Sequence, residues 1–88
     1  MTSFSLASQH ALIRLLVRRG PSTSHQLATA LGAHVNSVLK RLRVLESEGL
    51  VVADFPDGQR HGHHVLYSVD EARLEELIAA FAESLRGR

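Results

Sequence analysis

Two helical patterns in this chain are separated by almost nothing. The short apolar face Leu27, Ala28 and Leu31 stops at Gly32, the next helical pattern starts at Val35, and only Ala33 and His34 lie between. Glycine supplies the left-handed stop that ends a helix. A linker of two residues then forces the following helix to cross the first steeply. That one turn restricts the folds open to the chain more than any other feature, and its neighbours are read outward from it.

The helix before the turn begins at Thr23, with Gln26 three residues on, the spacing of a reciprocal capping box. The helix after it spans 35–48, with Val35, Val38, Leu39, Leu42 and Leu45 on one side of the wheel. His34 falls at its N-cap, and Ala33 and Val38 stand in the staple positions around it. Gly49 ends it. Upstream, a first helix over about 5–19 carries Leu6, Ala7, Ala11, Leu12, Ile13, Leu15, Leu16 and Val17 nearly all round its wheel, so it must be covered on more than one side. Arg18 and Arg19 suit its negative end, and Gly20 and Pro21 stop it. His10, on that mostly apolar helix, is expected to be partly buried.

Downstream, Leu50 to Phe55 and His64 to Val69 read as two strands by their apolar and β-branched content. Pro56, Asp57 and Gly58 are turn residues. A lone hairpin is marginal, so this one must lean on the helices. Asp70 caps a last helix whose stripe is Leu74, Leu77, Ile78, Phe81 and Leu85. The expected order is helix, helix, tight turn, helix, hairpin, helix: mainly α with a small β-hairpin wing, a winged helix-turn-helix. At 88 residues it forms one domain, 1–88, with a C-terminal dimerisation helix over about 70–86.

With no cysteine, disulfides and thiolate metal sites are excluded. No apolar run nears the roughly 20 residues that span a bilayer. The opening Met1 to Ser5 lacks a basic region ahead of an apolar stretch, so a cytoplasmic location is expected. The net charge of +1 conceals a division, about +4 in residues 1–50 and −3 in residues 51–88. A basic half beside an acidic one fits a polyanion-binding face opposite a face turned elsewhere.

The third helix decides what such a domain could do. With its apolar stripe inward, the opposite face presents Asn36, Ser37, Lys40 and Val44, with Arg41 and Arg43 on the flanks. Asparagine can pair bidentately with adenine, arginine or lysine with guanine, and a valine methyl can meet that of thymine. The bland alternative is a solvated charged face. Thr23 and Ser24 at the preceding helix start could offer hydroxyl or backbone amide contacts to a phosphate, His34 joins the DNA-binding candidates, and His25 is expected to be incidental.

The stretch Gln26-Leu27-Ala28-Thr29-Ala30-Leu31-Gly32, then Ser37 to Leu45 and Gly49-Leu50-Val51, resembles the ArsR-type winged-helix regulators, with MarR-type proteins close behind. The likeness covers roughly residues 11–70. It implies a dimeric repressor whose third helix enters the major groove while the wing, 56–63, touches the flanking backbone. Two departures stand out: Leu39 replaces a usual serine, and the start of the sequence is expected to be too short for the extra N-terminal helix many members have.

At the wing, Gln59, Arg60 and His61, with His63 and His64, suit phosphate or minor-groove contact, unless the tip is only a solvated loop. DNA affinity is therefore expected to rise as pH falls from about 7.5 to 6, since imidazoles beside phosphates gain protons. A binding isotherm unchanged across that range would remove the histidines from the contact. The same cluster invites a metal reading, but a structural zinc site needs four ligands, and only Asp57 is a carboxylate nearby. No metal and no cofactor is expected.

The apolar surplus of the first and last helices predicts a two-fold interface of Leu6, Leu12, Ile13, Leu74, Leu77, Ile78, Phe81 and Leu85. The other possibility is a monomer in which the last helix simply covers the first. No nucleophile elbow or phosphate-cradling glycine loop points to an enzyme. The expected partner is double-stranded DNA, read as an inverted repeat by a homodimer, with no membrane and no identifiable small-molecule effector. Rival roles are a partition, replication or nucleoid protein, or a winged-helix protein-interaction module, for which an apolar or acidic third-helix face would be the mark.

Overall fold

The computed structural model describes residues 6–55, 58 and 64–87. Its elements are α1 (Leu6–Arg19), α2 (Ser24–Leu31), α3 (Val35–Ser47), β1 (Val51–Ala53), β2 (Tyr67–Val69) and α4 (Glu71–Leu85). The order is the one the sequence predicts: a winged helix-turn-helix.

Local chemistry sets the helix ends. At the start of α2, the Thr23 hydroxyl oxygen accepts the Gln26 amide at 3.2 Å, and the Thr23 amide donates to Gln26 Oε1 at 2.9 Å, closing the capping box. At its end, Gly32 takes φ 63°, and the Gly32 and Ala33 amides return to the Thr29 and Ala28 carbonyls. Gly49, at φ 78°, does the same for α3: its amide reaches the Glu46 carbonyl, and the Leu50 amide reaches that of Leu45 at 3.0 Å. Leu45 and Leu50 are both buried, the apolar contact that accompanies this kind of helix stop. Both helices of the turn are thus closed by left-handed glycines. His34 holds the N-cap position of α3 without a side-chain capping bond.

Thr23→Ala is expected to lower stability by about 0.5–2 kcal/mol, because α2 has only eight residues over which to spread the loss of its cap. Chemical denaturation of the two proteins at equal concentration measures it.

The core is a single cluster. Leu12 and Leu16 from α1, Leu27 and Ala28 from α2, and Val38, Leu42 and Leu45 from α3 meet Leu50, Val51 and Tyr67. Ile13, Leu15, Leu74 and Leu77 pack around its edge.

The strands are shorter than their sequence pattern suggests. β1 and β2 pair antiparallel with Val51 opposite Val69 and Ala53 opposite Tyr67. Beyond Ala53 the Asp54 amide still donates to the Leu66 carbonyl at 3.1 Å, but the Leu66 amide turns to the Asp54 carboxylate at 2.9 Å. A side-chain acceptor replaces the backbone one, and the ladder ends there. At the loop-side end of the paired strands, Ser22 and Tyr67 exchange both backbone bonds, so the α1–α2 connection acts as a one-residue third strand beside β2. Ser22 is buried, and its hydroxyl donates to the Gly20 carbonyl at 3.0 Å.

Asp70 accepts the Arg73 amide and caps α4 as expected. Only the first part of the α4 stripe packs within the chain. Leu74 and Leu77 are half-buried, whereas Ile78, Phe81 and Leu85 are 53%, 66% and 73% exposed. His10 departs from expectation: it is exposed, because it lies on the side of α1 away from Leu12 and Leu16.

Candidate nucleic-acid interface

Helix α3 is divided cleanly into two faces. Val38, Leu42 and Leu45, at i, i+4 and i+7, are buried to 1% exposure or less. Asn36, Lys40, Arg43 and Ser47, at i, i+4, i+7 and i+11, form a parallel row on the opposite side, all exposed. Val44 beside them is 42% exposed. The row runs from the first turn of the helix to its last residue, a length of about 16–17 Å.

Two positions differ from the sequence reading. Arg43, expected on a flank, stands on the open face, and among the described residues it forms no ion pair with Glu46. Ser37, expected on the open face, is instead half-buried along one side of the helix, beside the flank residue Arg41, which is also half-buried. The signal was available in the sequence, since the 4-3-4 spacing of Asn36, Lys40, Arg43 and Ser47 follows a single helical row.

At the elbow, His25, Ala28, Thr29, Gly32, Ala33, His34 and Val35 line an open depression of about 490 Å³. It adjoins the start of α3, and the two histidines that line it, His25 and His34, are both exposed. Thr23 and Ser24 are half-buried at the start of α2. The Thr23 oxygen is engaged as the cap acceptor, which leaves its hydroxyl hydrogen to donate outward. A second open groove, of about 430 Å³, lies between α1 and the end of α2 and is lined by His10, Arg14, Arg18 and three apolar residues.

The wing-tip residues Gln59, Arg60, His61 and His63 lie outside the described residues; His64 is exposed. Among the described residues no group of three or more histidines and acids is placed to hold a metal ion, and no helix is long and apolar enough to cross a membrane.

Among the described side chains, the positions assigned to an interface between chains fall into three groups. Ile78, Phe81 and Leu85 present open apolar surface, and Ile13, Leu74 and Leu77 are half-buried at the rim of the core. Leu12 is fully enclosed by its own chain, so it serves the interior and offers no contact surface. Leu6 opens α1, and its side chain lies outside what the structure describes.

No family model matches the chain. It is similar to the HTH-type transcriptional regulator NmtR of Mycobacterium tuberculosis, with 34% identity over 67 residues, 76% of this chain and 52% of that protein. The chain thus spans about half the length of this curated relative. Among solved structures, it is similar to the homodimeric winged helix-turn-helix DNA-binding domain of Mb0332 from Mycobacterium bovis, described as a possible ArsR-family transcriptional regulator. That likeness has a TM-score of 0.63 and 28% identity, covering 96% of this chain and 76% of the other. The structure of a possible transcriptional regulator from Methanosarcina mazei superimposes with a TM-score of 0.65 at 11% identity, covering 96% and 75%, and carries the fold alone.

Proposed function

We propose that this ArsR-like winged helix-turn-helix chain binds double-stranded DNA as a homodimer and acts as a transcriptional repressor. The observation that carries the reading is the exposed row Asn36, Lys40, Arg43 and Ser47, which sits directly behind a fully buried apolar stripe on α3. An amide, two cations and a hydroxyl spaced along one helix suit the donor and acceptor edges of a major groove. A protein-interaction module would need an apolar or acidic surface in that place.

Thr23, Ser24, His34 and the half-buried Ser37 and Arg41 then serve phosphates at the edge of the groove, with Gln59, Arg60 and His61 of the wing on the flanking backbone. A single helix of this length touches too few bases for selectivity, and the exposed Ile78, Phe81 and Leu85 offer a surface on which two copies can join. Two-fold pairing places the recognition helices about 34 Å apart, so the target is an inverted repeat with half-site centres about 10–11 base pairs apart. Residues 1–88 form the DNA-binding unit, with the helix over about 70–86 as the joining element, and the protein works in the cytoplasm without catalytic activity of its own.

Selection of bound fragments from sheared genomic DNA tests this reading. An inverted repeat near one or a few promoters is the expected outcome. Tandem arrays of sites would instead favour partition or DNA coating, and no retention even in dilute buffer would overturn DNA binding altogether. For the interface, Phe81→Glu is expected to shift sedimentation from dimer to monomer while leaving the helical circular dichroism intact, because Phe81 takes no part in the core. An unchanged dimer would move the interface elsewhere.

A further inference from the structure

Helix α3 carries no basic residue in its last turn, although the carbonyls there make that end negative. The missing cation comes from another element. Arg73, in the first turn of α4, donates from Nε to the Glu48 carbonyl at the α3 C-cap, at 3.1 Å. Its side chain lies over Gly49, with Nε 3.6 Å from where a β-carbon there would sit. Its Nη1 meets Glu76 Oε1 at 3.4 Å, one turn further along α4. One guanidinium therefore touches both helices through different nitrogens. Beside it the Asp70 amide donates to the Leu50 carbonyl at 2.8 Å.

These contacts matter because α4 is held at one end. Leu74 and Leu77 reach the core edge, but no residue of α4 is fully buried and the helix is exposed along most of its length from Ile78 onward. A 15-residue helix is about 22 Å long. Pivoting it by about 10° at its anchored end moves the far end by roughly 4 Å on that length. The exposed apolar residues, Phe81 and Leu85, sit toward that far end. A small error at the anchor becomes a large one where two copies would meet.

We propose that Arg73 is a positioning residue that sets the angle between the groove-reading helix α3 and the joining helix α4, and so fixes which half-site spacing the dimer accepts. The spacing consequence rests on the DNA-binding reading above; the angular role does not. Because a lysine has a single nitrogen, it can meet Glu48 or Glu76 but cannot hold both in the same arrangement.

The chain contains no cysteine, so Ser47→Cys and Ala80→Cys can be spin-labelled without background. Diluting the labelled protein with excess unlabelled chain makes a pulsed electron–electron distance measurement report α3–α4 geometry within one molecule. The parent is expected to give one narrow distribution. Arg73→Ala should broaden or displace it, Arg73→Lys should lie between, and Glu76→Gln, which keeps the Glu48 contact, should stay near the parent. Circular dichroism of each variant confirms that the helices persist.

The second arm uses duplexes whose half-sites are moved apart by one or two base pairs. The parent should bind the best spacing at least tenfold tighter than the others, and Arg73→Ala should reduce that discrimination several-fold. Distance distributions that superimpose for parent and Arg73→Ala would overturn the angular role. If Arg73→Ala broadens the distances but keeps full spacing discrimination, the angle is set by Arg73 and the spacing is not. A parent that binds no duplex would sink the DNA reading and the spacing consequence, while the distance arm still decides the role of Arg73.

Discussion

Leu42→Ala is expected to remove about 2–5 kcal/mol of folding stability, the range for truncating an enclosed leucine where neighbours cannot collapse into the space. Leu42 is 0% exposed, at the middle of α3, inside the cluster that joins all three helices of the turn to β1 and β2. Native domains hold roughly 0.05–0.15 kcal/mol per residue, which for this length is about 4–13 kcal/mol. The single truncation therefore removes at least about 15% of the total, and at the upper end of its range it can leave the chain unfolded at moderate temperature. Urea unfolding followed by circular dichroism measures it, with protein concentration held fixed because self-association shifts apparent stability. Val44→Ala, two residues along the same helix but exposed, serves as the contrast and should stay within about 0.5 kcal/mol of the parent. If the two variants lost similar stability, the assignment of inner and outer faces of α3 would be wrong.

The second large effect is on binding. Removing Lys40 and Arg43 together is expected to weaken association with the selected duplex by about 2–6 kcal/mol, from 1–3 kcal/mol for each lost base contact. The way the loss is distributed identifies the contact. A base contact relaxes preference at one position of the site, whereas a phosphate contact weakens every sequence alike and reduces the salt dependence by about one counterion. Anisotropy titrations of each single variant at several salt concentrations separate the two cases. Arg41→Ala is a useful third protein. Its half-buried position on the flank of α3 leads us to expect part of its effect in stability rather than affinity. Parent-like binding by the double variant would take α3 out of the groove.

Much of this was legible in the chain itself, for reasons that differ from one element to another. Thr23 with Gln26, Gly32, Gly49 and Asp70 act within a few residues of themselves, and each cap forms as its spacing predicts. The inner stripe of α3 follows from one helical period. What depends on contacts between distant segments was harder to read. The hairpin stops short because Asp54 offers its carboxylate to Leu66, a choice that strand propensity does not encode. Arg73 reads as one more charge outside an apolar stripe until the chain folds and brings it over Gly49. Leu12 and Phe81 look alike as apolar positions on helices, yet one is sealed inside and the other is two-thirds exposed. Periodicity says that a face is apolar but not which partner covers it.

The mutual backbone bonds of Ser22 and Tyr67 have a consequence for how such a domain can change over time. They stitch the first residue of β2 to the α1–α2 connection, through bonds other than those that join Asp54 to Leu66. The entropic penalty of lengthening a connection grows only logarithmically, so residues could be added or removed between Asp54 and Leu66 while the paired strands keep their alignment. The far end of the hairpin is then free to be rewritten for a new backbone path or a new flanking sequence, without renegotiating the seating of the three helices beneath it.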